Sequence, residues 1–193
     1  MHLVDYIKEY YPQWFGYMSY PADKTVPIRK TADEWGILGN FAATPIVVDG
    51  VAFDCTERLY QVAKFTDPES RRELFTHKRD LWLKKRATSL EKTGSVRPDW
   101  GKVFIDMMSF CLVQKYAQSE AFRKELARSK GLFIVEDQSA FSKKRPDAWG
   151  TKISADETEY IGPNILGRLL MELRDTGTRP YTLPEDATAF GDI

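Results

Sequence analysis

Residues 56–65, Thr-Glu-Arg-Leu-Tyr-Gln-Val-Ala-Lys-Phe, place an acid, a phenol, an amide and an amine at helical spacing. At 100° per residue, Glu57, Tyr60, Gln61 and Lys64 share one face, while Leu59, Val62 and Ala63 share the other. Glu57 and Lys64 lie two turns apart, about 10 Å along the axis, which leaves room for a sugar ring between them. A carboxylate in such a place can balance developing positive charge or activate water. A desolvated lysine can act as an acid or as an amine nucleophile. The competing reading is a solvated helix face carrying ordinary surface groups.

The neighbouring stretches predict how this helix is positioned. Asp49-Gly50 between the apolar runs 46–48 and 51–53 predicts a two-residue hairpin turn with both residues at positive φ. The hairpin leads into the helix, with Thr56 as its cap and Glu57 at the positive end of the dipole. The Gly-rich segment 35–41 ends in Asn40-Phe41, where a side-chain amide could meet a ligand. Arg97-Pro98-Asp99-Trp100 opens a long core helix, capped by Asp99 and running to about Gln118. Trp14 to Tyr20 reads as an aromatic strand, followed by a polar loop to Asp33. Leu132 to Val135 reads as a buried strand that ends in Glu136-Asp137, and Ile165 to Leu173 as the last amphipathic helix. Segment 138–161 reads as a long irregular loop, expected to close as a lid with Trp149 at its rim.

The chain has 193 residues, and its 28 Lys plus Arg balance 28 Asp plus Glu, so no overall basic field attracts nucleic acid. Local clusters remain at Lys84-Lys85-Arg86 and Lys143-Lys144-Arg145. The first belongs to the segment His77 to Arg86, expected to be a solvated amphipathic helix. A hydrophobic share of 42% suits one compact globular domain rather than disorder. Two cysteines, Cys55 and Cys111, are too few for a disulfide framework or a structural zinc site. The N-terminus lacks a secretory core, and no apolar run reaches membrane-spanning length. A cytoplasmic location without membrane contact is the expectation.

Several blocks in order resemble the NADAR family, proteins tied to NAD and ADP-ribose that include the YbiA-like N-glycosidases of riboflavin intermediates. They are Gly39-Asn40-Phe41-Ala42 with Pro45-Ile46 and Asp49-Gly50; Thr56-Glu57 through Gln61 to Lys64-Phe65; Arg97 with Trp100; Lys115-Tyr116; Val135-Glu136; Trp149-Gly150; and Gly162-Pro163-Asn164-Ile165-Leu166-Gly167 leading to Leu170-Met171-Glu172-Leu173-Arg174. Together they span roughly residues 35–175. The chain departs from the family pattern at Gly39, where Ser is common, at Arg58, often His, and at Ala63, often Gln.

The resemblance implies an α+β fold, predominantly helical, in a single domain with a few short strands. Residues 1–34 would be an N-terminal extension, 35–177 the NADAR-like catalytic domain and 178–193 a C-terminal strap. It implies hydrolysis of an N-glycosidic bond between ribose C1′ and a base or amine, with no cofactor and no metal. Substrates would be ribosylamino-pyrimidine phosphates of riboflavin biosynthesis or ADP-ribosyl groups, including those on guanine in DNA. Glu57 and Lys64 would be catalytic, with Lys64 as acid or as the amine of a Schiff base. Asn40, Phe41, Arg58, Tyr60 and Gln61 would line the substrate. So would Arg97 facing a phosphate, Trp100 or Trp149 stacking on the base, and Glu136, Gly150, Asn164 and Gly167. Two other classes stay open: a catalytically silent module that binds ADP-ribose or NAD, and an enzyme acting on nucleic acid through the basic clusters.

Overall fold

The computed structural model describes residues 3–78 and 80–193. Met1 and His2 of the N-terminal stretch, and Arg79 of the basic segment, lie outside the described residues. The chain begins α1 (Leu3–Tyr10), β1 (Met18–Pro21), β2 (Thr25–Ile28), β3 (Ile46–Val48) and β4 (Val51–Phe53). Four helices follow: α2 (Thr56–Ala63), α3 (Pro68–Thr76), α4 (Asp80–Leu90) and α5 (Trp100–Gln118). The chain continues through α6 (Glu120–Arg128), β5 (Phe133–Glu136), β6 (Lys152–Ile153), β7 (Glu159–Gly162) and α7 (Ile165–Thr176). The fold is α+β and predominantly helical, as expected. Among the described residues no helix is long and apolar enough to cross a membrane.

The chain gathers into two compact units. One comprises the chain through Gly39 together with Arg123–Arg179; the other comprises Asn40–Phe122 with Pro180–Ile193. In the first, β7 pairs antiparallel with both β1 and β6, and β2 runs parallel to β5. α7 packs on β5. Its buried apolar residues include Tyr20, Ile134, Val135, Tyr160, Leu169 and Leu170.

In the second unit, β3 and β4 form a hairpin, and α2 packs against β4, α3, α4 and α5. Phe53, Leu59, Leu74, Leu83, Phe104 and Phe190 are buried there. A helix met by neighbours on so many sides has no face left for water, which explains why α2 is buried along its whole length.

Several local expectations change. Segment 14–20 yields a 3-10 turn (Pro12–Trp14) and only the short β1, while the loop expected before Asp33 contains β2. β2 pairs with a distant strand, so its short Thr-Val-Pro-Ile run shows its partner only in the fold. Segment 138–161 is not an irregular loop. It holds β6 and β7, and its main chain bonds repeatedly to the strand before it and the helix after it. Trp82 is exposed on α4 beneath the Lys85 ammonium, while Leu83 is buried.

Candidate active site

The β3–β4 hairpin turns at Asp49 (φ 51°) and Gly50 (φ 76°), both at positive φ as Asp-Gly predicts. It delivers Cys55, extended at φ −152° and ψ 162°, as the cap residue of α2. Thr56 is therefore the first helical residue, not the cap. Its Oγ1 is buried without a hydrogen-bond partner among the described residues. The Glu57 N–H, one of the donors a helix start leaves open, is taken by the Asn40 main-chain carbonyl at 2.9 Å. That bond fixes Asn40 against the first turn.

All eight residues of α2 are buried, and Glu57 is only 6% exposed. The solvated-face reading therefore fails on geometry. Burying a carboxylate is costly unless it is bonded or paired. Glu57 Oε1 accepts from Gln61 Nε2 at 2.8 Å, one helical turn on. Asn40, 8% exposed, donates from Nδ2 to Met108 Sδ at 3.4 Å, and its Oδ1 has no partner among the described residues. Phe41 beside it is half-buried.

Deeper at the α2–α5 contact lies a group that was noted in the sequence only as part of a family block. Lys115 is fully buried, with its ammonium nitrogen 4.5 Å from the Phe122 ring centroid. Burial lowers it to about 7, while its interaction with Cys55 works in the opposite direction. Burial pushes the Cys111 thiol well up, and the Glu57 charge adds to that rise. Each of the two buried thiols thus interacts with one of these groups, Cys111 with Glu57 and Cys55 with Lys115. The missed signal was spacing: Phe104, Met108, Cys111 and Lys115 repeat at intervals of four, three and four, the inward stripe of one helix.

At the other end of α2, Lys64 terminates the helix in an αR conformation. Its ammonium is ion-paired with Glu91 and lies 5.7 Å from the Trp100 ring centroid. Trp100, half-buried, packs on Tyr60 with centroids 5.0 Å apart. Tyr60, Lys64 and Trp100 thus form an aromatic and cationic cluster. Glu57 and Gln61 belong to the same face of α2, nearer its start.

Two expected ligand contacts have other partners here. Arg58 donates from Nε to Asp54 at 2.6 Å and from Nη1 to the carbonyls of Leu74 (2.7 Å), Phe75 (3.3 Å) and His77 (3.0 Å). It answers carbonyls that the end of α3 leaves open. Arg97 is gripped by Asp99 (Nε and Nη2, 3.0 Å each) and by Asp186 (Nη1, 2.8 Å). Asp99 sits at the start of α5 as expected, but its carboxylate serves Arg97 rather than a capping bond.

The remaining expected residues belong to the first unit and build its frame. Asn164, at φ 51° and fully buried, accepts from the Glu136 N–H at 3.2 Å and donates to the Ile134 carbonyl at 2.9 Å. A Cβ at Gly167 would stand 2.0 Å from the Ile134 carbonyl oxygen, and one at Gly150 2.6 Å from that of Glu136. The carbonyls of Ala148, Trp149 and Gly150 accept from the N–H groups of Ile165, Leu166 and Asn164, so this segment caps α7. Among the described residues no group of three or more His, Cys, Asp or Glu side chains is placed to hold a metal ion.

Comparison with known proteins places this geometry in context. The family model described as the NADAR domain matches residues 28–176. The N-glycosidase YbiA of Escherichia coli (strain K12) is 30% identical over 155 residues, covering 79% of this chain and 88% of that protein. The N-glycosidase YbiA of Shigella boydii serotype 4 (strain Sb227) matches to the same extent. The NMR structure of the E. coli protein YbiA is similar at a TM-score of 0.63 and 28% identity, covering 79% of this chain and 84% of that one.

Proposed function

This chain belongs to the NADAR domain family, and from that premise we propose that it is an N-glycosidase, a hydrolase of ribosyl or ADP-ribosyl compounds that cleaves between C1′ and nitrogen. The observation that carries the reading is the buried carboxylate of Glu57, held by Gln61 in a helix with no solvated face. Cleaving such a bond needs protonation of a poor nitrogen leaving group and balance for the positive charge growing on C1′ and the ring oxygen. Glu57 supplies the balancing charge or activates the water, and a water-poor surrounding strengthens either action.

Two amines serve two roles. Lys64, ion-paired to Glu91 beside Trp100, is the proton donor to the leaving nitrogen. Lys115, desolvated, is the amine available uncharged near neutral pH. It is the one suited to add to C1′ as the protonated base departs, giving up a proton; opening of the ribose ring then leaves an imine, which water hydrolyses to the free sugar and the free amine. Trp100, packed on Tyr60, offers an aromatic face to the base, and the open Oδ1 of Asn40 accepts from a sugar hydroxyl.

The balanced charge of the chain favours a small-molecule substrate over DNA. The test is a panel assay: ribosylamino-pyrimidine phosphate, NAD, ADP-ribose and guanine-ADP-ribosylated DNA, with released base and sugar separated by chromatography. Turnover of a nucleotide with little salt dependence supports the small-molecule reading. Turnover of DNA alone, falling steeply with salt, would replace it with the nucleic-acid reading. ADP-ribose binding without turnover of any panel member would leave a silent binding module.

A further inference from the structure

We propose that residues 180–193 are a positioning element of the site, acting through Asp186 on Arg97 and through Arg97 on Trp100 and Lys64. The functional part of this proposal rests on the N-glycosidase reading above; the mechanical part does not. The segment lies beyond the residues 28–176 matched by the family model.

The segment is anchored at both ends. Phe190 is fully buried, donates its N–H to Asp49 Oδ2 at 2.7 Å and meets the Phe53 ring edge-on at 5.0 Å. The Arg71 guanidinium lies 5.0 Å from the Phe190 ring centroid and 2.7 Å from the Asp192 carboxylate. At the other end, Tyr181 meets Phe110 of α5 edge-on at 5.4 Å. Between these anchors a 3-10 turn, Glu185–Thr188, presents Asp186.

Asp186 grips Arg97 from Nη1 at 2.8 Å and Nη2 at 3.3 Å. The Arg97 side chain is 6% exposed and that of Asp186 68% exposed, so a buried cation is held by a carboxylate reaching in from the surface. Arg97's other carboxylate partner, Asp99, sits two residues along the same turn and can travel with it. Asp186 comes from a separately anchored segment and fixes the turn in place. The Asp186 carboxylate is held below the ordinary range chiefly by its bond to Arg97, so it stays ionised through the neutral range.

What Arg97 fixes is the frame of the aromatic cluster. Its N–H donates to the Lys64 carbonyl at 2.9 Å, and its carbonyl accepts from the Trp100 N–H at 3.0 Å. One residue therefore joins the end of α2 to the start of α5. A loosened Arg97 lets Trp100 and Lys64 drift from each other, which weakens ligand stacking before it disturbs the remote core.

The test compares the wild type with Asp186→Asn, Asp186→Glu, Trp100→Ala and the double variant Trp100→Ala/Asp186→Asn. The readouts are amide hydrogen exchange over residues 96–101, ADP-ribose affinity by calorimetry and melting temperature. Asp186→Asn should speed exchange at Arg97 and Trp100 about tenfold and weaken ADP-ribose binding by about the same factor. Asp186→Glu should restore most of both, and Asp186→Asn should cost no further affinity once Trp100 is Ala. Unchanged exchange at Arg97 and Trp100 would overturn the proposal, and so would an affinity loss that adds fully to that of Trp100→Ala. If the wild type does not bind ADP-ribose, the ADP-ribosyl reading fails, while exchange still decides whether the brace exists.

Discussion

Asn164 and Glu57 are both buried polar residues at helix starts, and they are treated in opposite ways. Asn164, before α7, has both ends of its amide bonded to the main chain of β5, and Gly167 lets the helix come close enough for that. Glu57, in the first turn of α2, is bonded to a side chain, Gln61. Beside it, Asn40 Oδ1 and Thr56 Oγ1 have no hydrogen-bond partner among the described residues. Buried polar groups answered by their own main chain build the fold. Buried acceptors left open beside a side-chain pair are available to a ligand. An open buried acceptor costs about 1–3 kcal/mol, a cost that persists where a ligand can satisfy it.

That contrast can be broken most sharply at Gly167. Gly167→Ala forces a methyl group against a main-chain oxygen and should destabilise the protein by about 3 kcal/mol or more, seen as a lower denaturant midpoint. Asn164→Ala should cost about 2–3 kcal/mol, since two buried main-chain groups lose partners and the new residue must hold a positive φ. Normal stability with abolished turnover in either variant would make these residues part of the site and erase the distinction.

The two lysines sharpen the comparison within one unit. Lys115 falls to about 7 when folded, below its ordinary 10.5, so between those values the unfolded chain binds a proton that the folded chain lacks. Stability should therefore rise with pH from about 7 upward, by about 1.4 kcal/mol per unit, with the cost of the buried charge full below that window. Lys115→Met should flatten the rise measured between pH 7 and 8.5 and stabilise the protein at pH 6.5. A pH slope unchanged in the variant would mean that another group titrates. Borohydride added during turnover should attach sugar to Lys115 and leave Lys64 unmodified, as peptide mapping by mass spectrometry can show. A label on Lys64 would exchange the roles of the two amines.

The smallest effect is expected at the exposed Lys143, Lys144 and Arg145. Changing all three to Ala should move stability by about 0.5 kcal/mol or less, because exposed charges contribute little. A large fall in melting temperature would show that the cluster holds the 138–161 segment together.

Much of the second unit was legible in the sequence because its signals are local. Asp49-Gly50 dictated the turn, apolar spacing dictated α5, and the grouping of Glu57 with Gln61 followed from helical periodicity alone. Long-range partners were not legible. Whether α2 met water or protein depended on four neighbouring elements, so a polar face that, taken alone, reads as solvated is buried in the fold. Arg58 and Arg97 looked like free cations because the carbonyls of 74–77 and the Asp186 carboxylate lie 16 and 89 residues away at their nearest bonded positions. Segment 138–161 looked irregular because its strands are short and β7 is paired on both sides by strands distant in sequence or separated by a turn.

The central claim is that Glu57 supplies the charge on which turnover depends, and Glu57→Gln tests it most directly. The amide keeps the shape and one acceptor, so the melting temperature and ADP-ribose affinity should stay near those of the wild type. The rate of base release from the best panel substrate should fall about a hundredfold or more, because nothing then balances the positive charge at C1′. Wild-type turnover in a folded Glu57→Gln protein would contradict the account.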